Sequence, residues 1–311
     1  MKFLPFLLLL VAPVLLSAAE KKEVPTWTDP KKAAAARPDF LLQGEYVGKQ
    51  DGKPIGLQAA DLDAGQFHVL TYAGGLPGEG WDGAAIKADL MNREQLRSAI
   101  SGLERIERKS PTLGNKAPEG ARVIFNGKKN DQVEGKIEDG FLWAGSKTTQ
   151  PAKDFTLHAE FRLPYKPSRE LSSQDRGNSG VYLFDNYETQ VIDTFGLDFN
   201  SENNKVPLKS LHTQWCASFY KFKTPDVPMA FPPLQWQTYD IHFTAPRFEN
   251  GEKVKNARIK VVHNGVIVHD DVEMPKGTGA GGNRPEKPLG IINFQGHGNP
   301  VAFRNVWLLE K

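Results

Sequence analysis

The feature that most limits the fold of this chain is a run of short β-prone segments after residue 120, with no helical periodicity between them. Segments such as FTLHAEFRLP, SGVYLFDN and WQTYDIHFTA have the length of strands, and turn-forming residues separate them. Asn264-Gly265, between IKVVH and VIVHD, is the strongest two-residue signal for a β-hairpin. The pattern predicts an all-β fold, an antiparallel β-sandwich or jelly roll, over residues 121–311.

The start of the chain has the pattern of an export signal. The first nineteen residues, MKFLPFLLLLVAPVLLSAA, combine Lys2 with an apolar run and a small-residue end. This arrangement is typical of a secretory signal peptide and is too short for a membrane span. We therefore expect an exported protein, periplasmic or secreted, without a membrane span.

Composition shifts divide the rest of the chain into parts. Residues 20–39 are rich in Lys, Ala and Pro, which predicts a leader or linker rather than a packed element. Residues 40–108 contain short β-prone segments broken by Asp-Gly and Gly-Gly turns, which predicts a small β-rich N-terminal module. Residues 109–120, KSPTLGNKAPEG, predict a linker before the sandwich. One helix is expected within residues 90–108, on the helical spacing of Leu96, Ile100, Leu103 and Ile106.

Charge and cysteine content exclude some classes of partner and site. The formal net charge at pH 7 is only +2, so no nucleic-acid partner is indicated. The single Cys216 cannot form an internal disulfide, and no zinc-ligand spacing is present. Oxygen ligands of a β-sandwich could hold a divalent cation such as Ca²⁺, but no EF-hand-like loop occurs and the sequence leaves the metal undecided.

The stretch RGNSGVYLFDNYETQVIDTFG, residues 176–196, carries unusually many amide and acidic side chains for a strand pair. Glu188 and Gln190 are two residues apart and so share one strand face, which suits the polar floor of a site. Asp193 has the opposite parity and joins them only at a bulge or at the strand tip. A solvated face, and a turn-capping role for Asp193, are the structural alternatives.

Several motifs resemble, in order, those of the 3-keto-disaccharide hydrolase family, also known as DUF1080. They are GNSGVYLFDNYETQVID, WQTYDIHFTAPRF, IKVVHNGVIVHD and GIINFQGHGNPVAFRNVWLLE, and the likeness covers most of residues 121–311. The resemblance implies a concanavalin-like jelly roll that cleaves glycosides whose sugar carries a ketone at C3. The chain departs from the family at Gly296, where members often have Asp before the histidine.

A ketone at C3 acidifies the hydrogen on C2, so a base can remove it and the enolate can expel the C1 substituent. Water can then add, and the sequence does not separate a lyase from a complete hydrolase. Such a reaction needs a base with a pKa near the working pH, donors for the enolate oxygen and an acid for the leaving group. A separate oxidoreductase would supply the ketone, because no nicotinamide or flavin site is visible in the sequence.

The resemblance and the residue chemistry together name the candidate site. His297, flanked by glycines, is an acid/base candidate, and its alternative is a loop histidine bonded to backbone. Glu188 and Asp193 are the other predicted catalytic residues. The predicted substrate-binding residues are Asn178, Gln190, Gln295, Arg304 and Trp215. Asn178 could instead be a turn residue, Arg304 could pair with a structural carboxylate, and Trp215 could pack under a loop.

Two other functions remain open from the sequence. A non-catalytic carbohydrate-binding module would need the same polar strand face and aromatic residues but no turnover. A conventional glycoside hydrolase needs at least two carboxylates on one strand face, and Gln190 occupies the position after Glu188 on that face.

Overall fold

The computed structural model describes residues 24–83 and 86–311. The expected signal peptide, residues 1–19, and residues 20–23 of the expected leader lie outside this described part. Within residues 24–83 and 86–311, no helix combines the length and the apolarity needed to cross a membrane.

The N-terminal part builds one antiparallel sheet and two short α-helices. Its elements are α1 (Pro30–Ala36), a 3-10 helix (Pro38–Leu41), β1 (Gly44–Gln50), β2 (Lys53–Asp61), β3 (Gln66–Ala73), β4 (Ile86–Asn92), α2 (Arg93–Ala99) and β5 (Glu104–Ile106). The strands lie in the order β4-β3-β2-β1-β5. A capping box between Asn92 and Gln95 begins α2, which packs Leu96 into a core cluster with residues of this sheet.

The helix expected within residues 90–108 is shorter than the spacing predicts. It ends at Ala99, and Ile106 lies in β5, which pairs with β1. Ile100 and Leu103 still pack against the cluster around Leu96, from a turn that includes Gly102 at φ +83°. The apolar spacing therefore indicates burial here and not a continuous helix. A helix followed by a turn and a strand places the same residues on buried surfaces.

The C-terminal part is a sandwich of two antiparallel sheets, which confirms the predicted all-β jelly-roll architecture. Its strands are β6 (Arg122–Phe125), β7 (Val133–Glu134), β8 (Ile137–Glu138), β9 (Phe141–Trp143), β10 (Ser146–Thr148), β11 (Phe155–Arg162), β12 (Ser179–Leu183), β13 (Tyr187–Val191), β14 (Trp236–Thr244), β15 (Arg247–Glu249), β16 (Glu252–Lys255), β17 (Ala257–His263), β18 (Val266–Met274), β19 (Ile292–Phe294) and β20 (Ala302–Glu310). Three 3-10 helices lie between them, at Ser201–Asn203, His212–Gln214 and Gly279–Asn283.

The two sheets differ in size and share one core. The larger has the order β18-β17-β14-β11-β20-β9-β8, with β6 also paired to β20, and the smaller has the order β13-β12-β19-β10-β7. Strands β15 and β16 form a separate two-stranded ribbon. Alternation along the strands explains the shared core: in β11, Phe155, Leu157 and Phe161 point into it.

The predicted hairpin at Asn264-Gly265 is confirmed. Strands β17 and β18 pair antiparallel with His263 opposite Val266, which leaves two residues in the turn. Asn264 and Gly265 have φ values of +50° and +83°. Both central residues of a type I′ turn need positive φ, and Asn followed by Gly adopts it at the lowest cost.

The expectation of an unpacked leader is wrong for residues 24–39. Trp27 exchanges two backbone hydrogen bonds with Tyr165, at 3.1 and 2.9 Å, and thereby attaches this segment to the sandwich. Ala33 in α1 is buried in a cluster with Tyr165 and Leu234. The composition misled because alanine is small enough to pack closely while contributing little to a hydrophobic pattern.

The segment predicted as a linker, residues 109–120, also packs on the sandwich. The hydroxyl of Thr112 donates to Asp240 at 2.8 Å, and the amide of Gly114 donates to Glu160 at 2.6 Å. Ser110 is buried and shares a hydrogen bond of 2.6 Å with Thr238. These contacts are polar and distant in sequence, so a search for apolar periodicity does not detect them.

The small sheet packs against the sandwich through buried polar groups and a shared apolar cluster. Ala60 of β2 lies in one cluster with Phe195 and Trp215. Buried Arg108 follows β5, donates to Glu45 of β1 at 2.8 Å, and lies over the ring of Phe231 in the sandwich.

We expect Arg108→Met to lower the free energy of unfolding by about 3 to 5 kcal/mol, because it leaves the buried Glu45 carboxylate without its charged partner. Chemical denaturation measures the change. Arg258→Met is the matched control: its partner Asp271 is exposed, and the expected loss of stability is much smaller. Equal costs for the two variants would contradict the structural role given to the buried pair.

Candidate functional site

A cleft of about 550 Å³ lies over strands β12 and β13, which form one edge of the smaller sheet. Loops before β12, after β13 and around β19 complete its walls. Its lining residues are Gln174, Asp175, Asn178, Tyr182, Glu188, Gln190, Tyr220, Lys221, Ala280, Gln295, His297 and Asn299. The structure therefore brings together five of the eight predicted site residues, which are Asn178, Glu188, Gln190, Gln295 and His297.

Strand parity builds the floor of the cleft. In β13, Tyr187 and Val191 belong to the sandwich core, so Glu188 and Gln190 point to the opposite face of the sheet. In the register of the hairpin, Tyr182 lies opposite Glu188 and Gly180 lies opposite Gln190. The outer face of this hairpin thus presents a carboxyl, a carboxamide and a phenol.

Glu188 is a nearly fully buried carboxyl, only 3% exposed. The hydroxyl of Tyr182 donates to its Oε2 at 2.7 Å. Burial raises the pKa of Glu188 to about 7, although the hydrogen bond from Tyr182 acts in the opposite direction. Burial also raises the pKa of Tyr182 well above its ordinary value, so this phenol remains a donor at neutral pH. Glu188 can therefore gain or lose a proton near pH 7.

Gly180 provides the space in which the Glu188 carboxyl lies. A Cβ at position 180 would be 2.5 Å from Oε1 of Glu188 and 3.0 Å from its Cγ. Any side chain there would displace the carboxyl, so the glycine is required by close approach rather than by backbone angle.

Gln190 is fully buried and links the floor to one wall. Its Nε2 donates to the carbonyl of Gln214 at 3.3 Å and to Oε1 of Gln174 at 3.4 Å. Its backbone amide donates to Ser218 at 2.9 Å. These bonds fix the loop after β13, on which Tyr220 reaches the cleft.

His297 lies on an exposed loop at the margin of the cleft, between Gly296 and Gly298. The base of this loop is anchored at Gln295, whose amide donates to Gly180 at 2.8 Å and whose carbonyl accepts from the hydroxyl of Ser179 at 2.7 Å. Gly298 has φ of +71°, which lets the chain turn sharply after the histidine.

Three buried amide atoms on the cleft walls have no hydrogen-bond partner among the residues that the structure describes. They are Oδ1 of Asn178, Oε1 of Gln295 and Nε2 of Gln174. Buried polar atoms are almost always paired, so unpartnered ones in a cleft are available to a ligand. Amides can donate to and accept from the hydroxyl groups of a sugar.

Asp193 does not line the cleft. It is fully buried, and its Oδ2 accepts from Nε of Arg176 at 2.7 Å. Its Oδ1 accepts from the amide of Phe195, which caps the turn after β13. The predicted catalytic role is therefore contradicted: Asp193 is a structural partner of a buried guanidinium, and the turn-capping alternative describes it better.

Arg304 lies on the outer face of the larger sheet, away from the cleft. Its Nε donates to Glu160 at 2.6 Å, and its guanidinium lies 4.0 Å from the ring centre of Trp236. The predicted contact with substrate in this cleft is thus wrong, because the strand parity of β20 directs Arg304 to the opposite side of the sandwich from the site.

Trp215 is completely buried beneath the loop that follows β13. It packs with Phe195 and Leu197, and its Nε1 donates to Ser210 at 3.1 Å. It has no surface to offer a sugar, which contradicts its predicted role and matches the alternative of packing under a loop.

Sequence reasoning missed Tyr182 as a partner of Glu188. The hairpin register would have revealed it, since the three-residue turn Phe184-Asp185-Asn186 places residue 182 opposite residue 188. Asp175 and Asn299 were also missed, and only the folded loops bring them to the cleft. Tyr220 also lines the cleft; it follows Trp215 and Phe219, and its sequence position alone does not distinguish it from these buried aromatic residues.

No group of three or more His, Cys, Asp or Glu side chains that could hold a metal ion occurs in the part of the chain that the structure describes. Cys216 is buried beside the hydroxyl of Tyr239, and burial raises the pKa of its thiol to about 11.

The chain is similar to a known protein family and to solved structures. Residues 120–309 match the family described as 3-keto-alpha-glucoside-1,2-lyase-like domain. A crystal structure described as a "putative glycosyl hydrolase" from Parabacteroides distasonis ATCC 8503 has 26% identity and a TM-score of 0.51, covering 67% of this chain and 93% of its own. A second structure of the same description and organism has 19% identity and a TM-score of 0.45, covering 66% and 100%. No curated protein matches the chain.

The family match spans well over half of the chain and includes the whole sandwich with its cleft. It also agrees with the motifs that run from Asn178 to Arg304. The chain belongs to the 3-keto-alpha-glucoside-1,2-lyase-like domain family, a family of carbohydrate-processing proteins.

Proposed function

We propose that this protein cleaves 3-keto-glycosides by removing the proton on C2 and eliminating the C1 substituent. The observation that carries the proposal is the Glu188 carboxyl, buried at the floor of the cleft with its pKa raised to about 7. A base of this pKa is half ionised near neutral pH and strong enough to remove a proton beside a ketone. The family description, a 1,2-lyase, names the same two carbons.

In the proposed reaction, Glu188 takes the proton from C2, and the electron pair of that bond forms the enolate of the C3 ketone. The ketone then re-forms, a C1–C2 double bond is made, and the C1–O bond breaks. His297 gives a proton to the departing oxygen. Addition of water to C1 would complete hydrolysis, so the same site serves a lyase or a hydrolase.

The remaining polar groups have roles in binding. The unpartnered amide atoms of Asn178, Gln295 and Gln174 lie on the cleft walls and are suited to sugar hydroxyls or to the C3 oxygen. Tyr182 donates to Glu188 and so keeps its second oxygen directed at Gly180. A separate oxidoreductase is needed to produce the ketone, and we propose such an enzyme as the functional partner. We also propose that the mature chain is exported.

A conventional glycosidase is less well supported by the cleft. The second carboxylate on its lining, Asp175, is bound by Lys166 and Arg169 at 2.9 and 2.6 Å. Burial by itself would raise the pKa of Asp175, but these two cations lower it. Each Asp175 oxygen is bound by one of the cations, so Asp175 is poorly available as the ionised nucleophile or base that a conventional glycosidase needs beside its acid.

We expect Glu188→Gln to reduce kcat/KM on a 3-keto-glucoside by at least about 100-fold, because the base is lost. In the wild type, kcat/KM should rise with pH and level off above about 7, because only the deprotonated carboxylate accepts the C2 proton. Release of the aglycone, followed between pH 5 and 9, measures both effects.

Tyr182→Phe and Glu273→Gln test the cause of that profile. Loss of the Tyr182 donor should move the midpoint to higher pH, because the hydrogen bond lowers the pKa of Glu188. Glu273 is an exposed carboxylate on β18, away from the cleft, and should have no effect. Equal cleavage of the unoxidised glucoside would overturn the elimination mechanism, and sugar binding without any turnover would favour a binding module.

The pKa of Glu188 also predicts a dependence of stability on pH that needs no substrate. The folded state holds this proton more tightly than the unfolded state, so Glu188 destabilises the fold as pH rises from about 4.5 through 7. Relative to Glu188→Gln, the wild type should lose about 3 kcal/mol of unfolding free energy across this range. Denaturant titrations at pH 4.5 and 8 measure the difference, and parallel curves for the two proteins would refute it.

His297→Ala should affect leaving groups unequally. An alkoxide or sugar oxygen needs a proton to depart, so kcat on a 3-keto-disaccharide should fall by about 100-fold. A 4-nitrophenolate leaves without one, so kcat on the 4-nitrophenyl 3-keto-glucoside should change only a few-fold. His242→Ala, on the larger sheet, is the control. Equal losses on both substrates would show that His297 is not the acid.

A further inference from the structure

A second and larger groove, of about 1110 Å³, adjoins the candidate site. Its lining residues are Val24, Pro25, Thr26, Lys136, Trp143, Ala144, Lys166, Arg169, Asp175, Gly296, Gly298, Asn299 and Pro300. Asp175 and Asn299 line both this groove and the cleft that holds Glu188. The two spaces are therefore adjacent on one side of the sandwich.

The loop of His297 separates the two spaces. His297 itself lines the cleft, while its neighbours Gly296 and Gly298 line the groove. A ligand that extends from the cleft into the groove must pass this histidine. The proposed acid thus lies at the junction, where the bond between two halves of a substrate would lie.

One wall of the groove comes from the N-terminal segment. Val24, Pro25 and Thr26 line it, and the backbone pair between Trp27 and Tyr165 holds them against the sandwich. These residues belong to the segment that was expected to be an unpacked leader, and they form part of the groove instead.

Trp143 gives the groove an aromatic face. It is partly exposed, its Nε1 donates to the carbonyl of Glu138 at 3.3 Å, and the ammonium of Lys136 lies 5.7 Å from its ring centre. An indole held in this way can stack on a sugar or aryl ring, and the lysine beside it can meet a charged substituent of that ring.

The charges that line the groove are unequal. Lys136, Lys166 and Arg169 carry positive charge, and Asp175 is the single carboxylate among the lining residues. Asp175 is shared between Lys166 and Arg169. Lys136 pairs with Glu138 at 2.8 Å, but both side chains are more than half exposed and can exchange partners. The groove as a whole favours an anion.

We propose that this groove binds the leaving-group half of the substrate, and that this half is a ring bearing a carboxylate. The inference rests on the proposed function for the position of the bond that breaks. The ring stacks on Trp143, and its carboxylate is bound by Lys136, whose ammonium lies beside the indole. The specificity of the protein then lies in the leaving group as well as in the keto sugar.

Two substrates of equal shape test the charge preference. They are the 4-carboxyphenyl and 4-carbamoylphenyl 3-keto-α-glucosides, which differ in the charge of the leaving group. The wild type should favour the carboxylate about fivefold in kcat/KM, mainly through KM, and 0.5 M NaCl should remove most of this preference. Lys136→Gln should abolish the preference by lowering kcat/KM on the carboxylate substrate. Trp143→Ala should raise KM for both.

Lys147→Gln is the matched control, since Lys147 is an exposed lysine that pairs with Glu134 and does not line the groove. Binding of 4-hydroxybenzoate and 4-hydroxybenzamide, measured by calorimetry on the same proteins, reports on the groove without turnover. If neither glucoside is cleaved but 4-hydroxybenzoate binds better in a Lys136-dependent way, the proposed function fails and the groove stands. Cleavage of both glucosides at equal efficiency, or equal binding of the two phenols, overturns the groove.

Discussion

The ion pair between Arg176 and Asp193 is the interaction on which the other parts of the site depend. Both side chains are fully buried, so neither charge can find water if the other is removed. The same guanidinium donates to the carbonyl of Arg169 at 2.7 Å and to that of Asp61 at 3.2 Å. One side chain therefore joins the end of β13, the loop before β12 and the end of β2 in the small N-terminal sheet.

Because of this connection, the pKa of Glu188 depends on contacts that lie far from the carboxyl itself. The carboxyl has its raised pKa because it is buried, and it is buried because loops from both sides of the smaller sheet cover the outer face of β12 and β13. Arg176 holds one of those loops and Gln190 holds another. The sandwich core lies on the opposite face of the same strands, so the requirements of folding and of chemistry fall on alternating residues of one strand.

Local pattern was enough to predict the parts of the structure that local rules control. The alternation in β13 predicted that Glu188 and Gln190 share a face, and Asn264-Gly265 predicted its hairpin. Asp193, Arg304 and Trp215 could not be placed in this way, because their positions depend on tertiary contacts outside any one strand or hairpin. Arg304 pairs with Glu160, 144 residues earlier, and no periodicity reports such a contact. The same reason hid the packing of residues 109–120, whose contacts are single polar bonds to another sheet.

The lack of a side chain at Gly180 limits how this cleft can change during evolution. Any replacement there would push against the Glu188 carboxyl. Substitution of Gly180 is therefore incompatible with keeping the base in its present position. The walls are under no such limit, since Asn178, Tyr220 and His297 all lie on loops. New substrate preferences in such a lineage should therefore arise by exchange of loop residues around an unchanging strand pair.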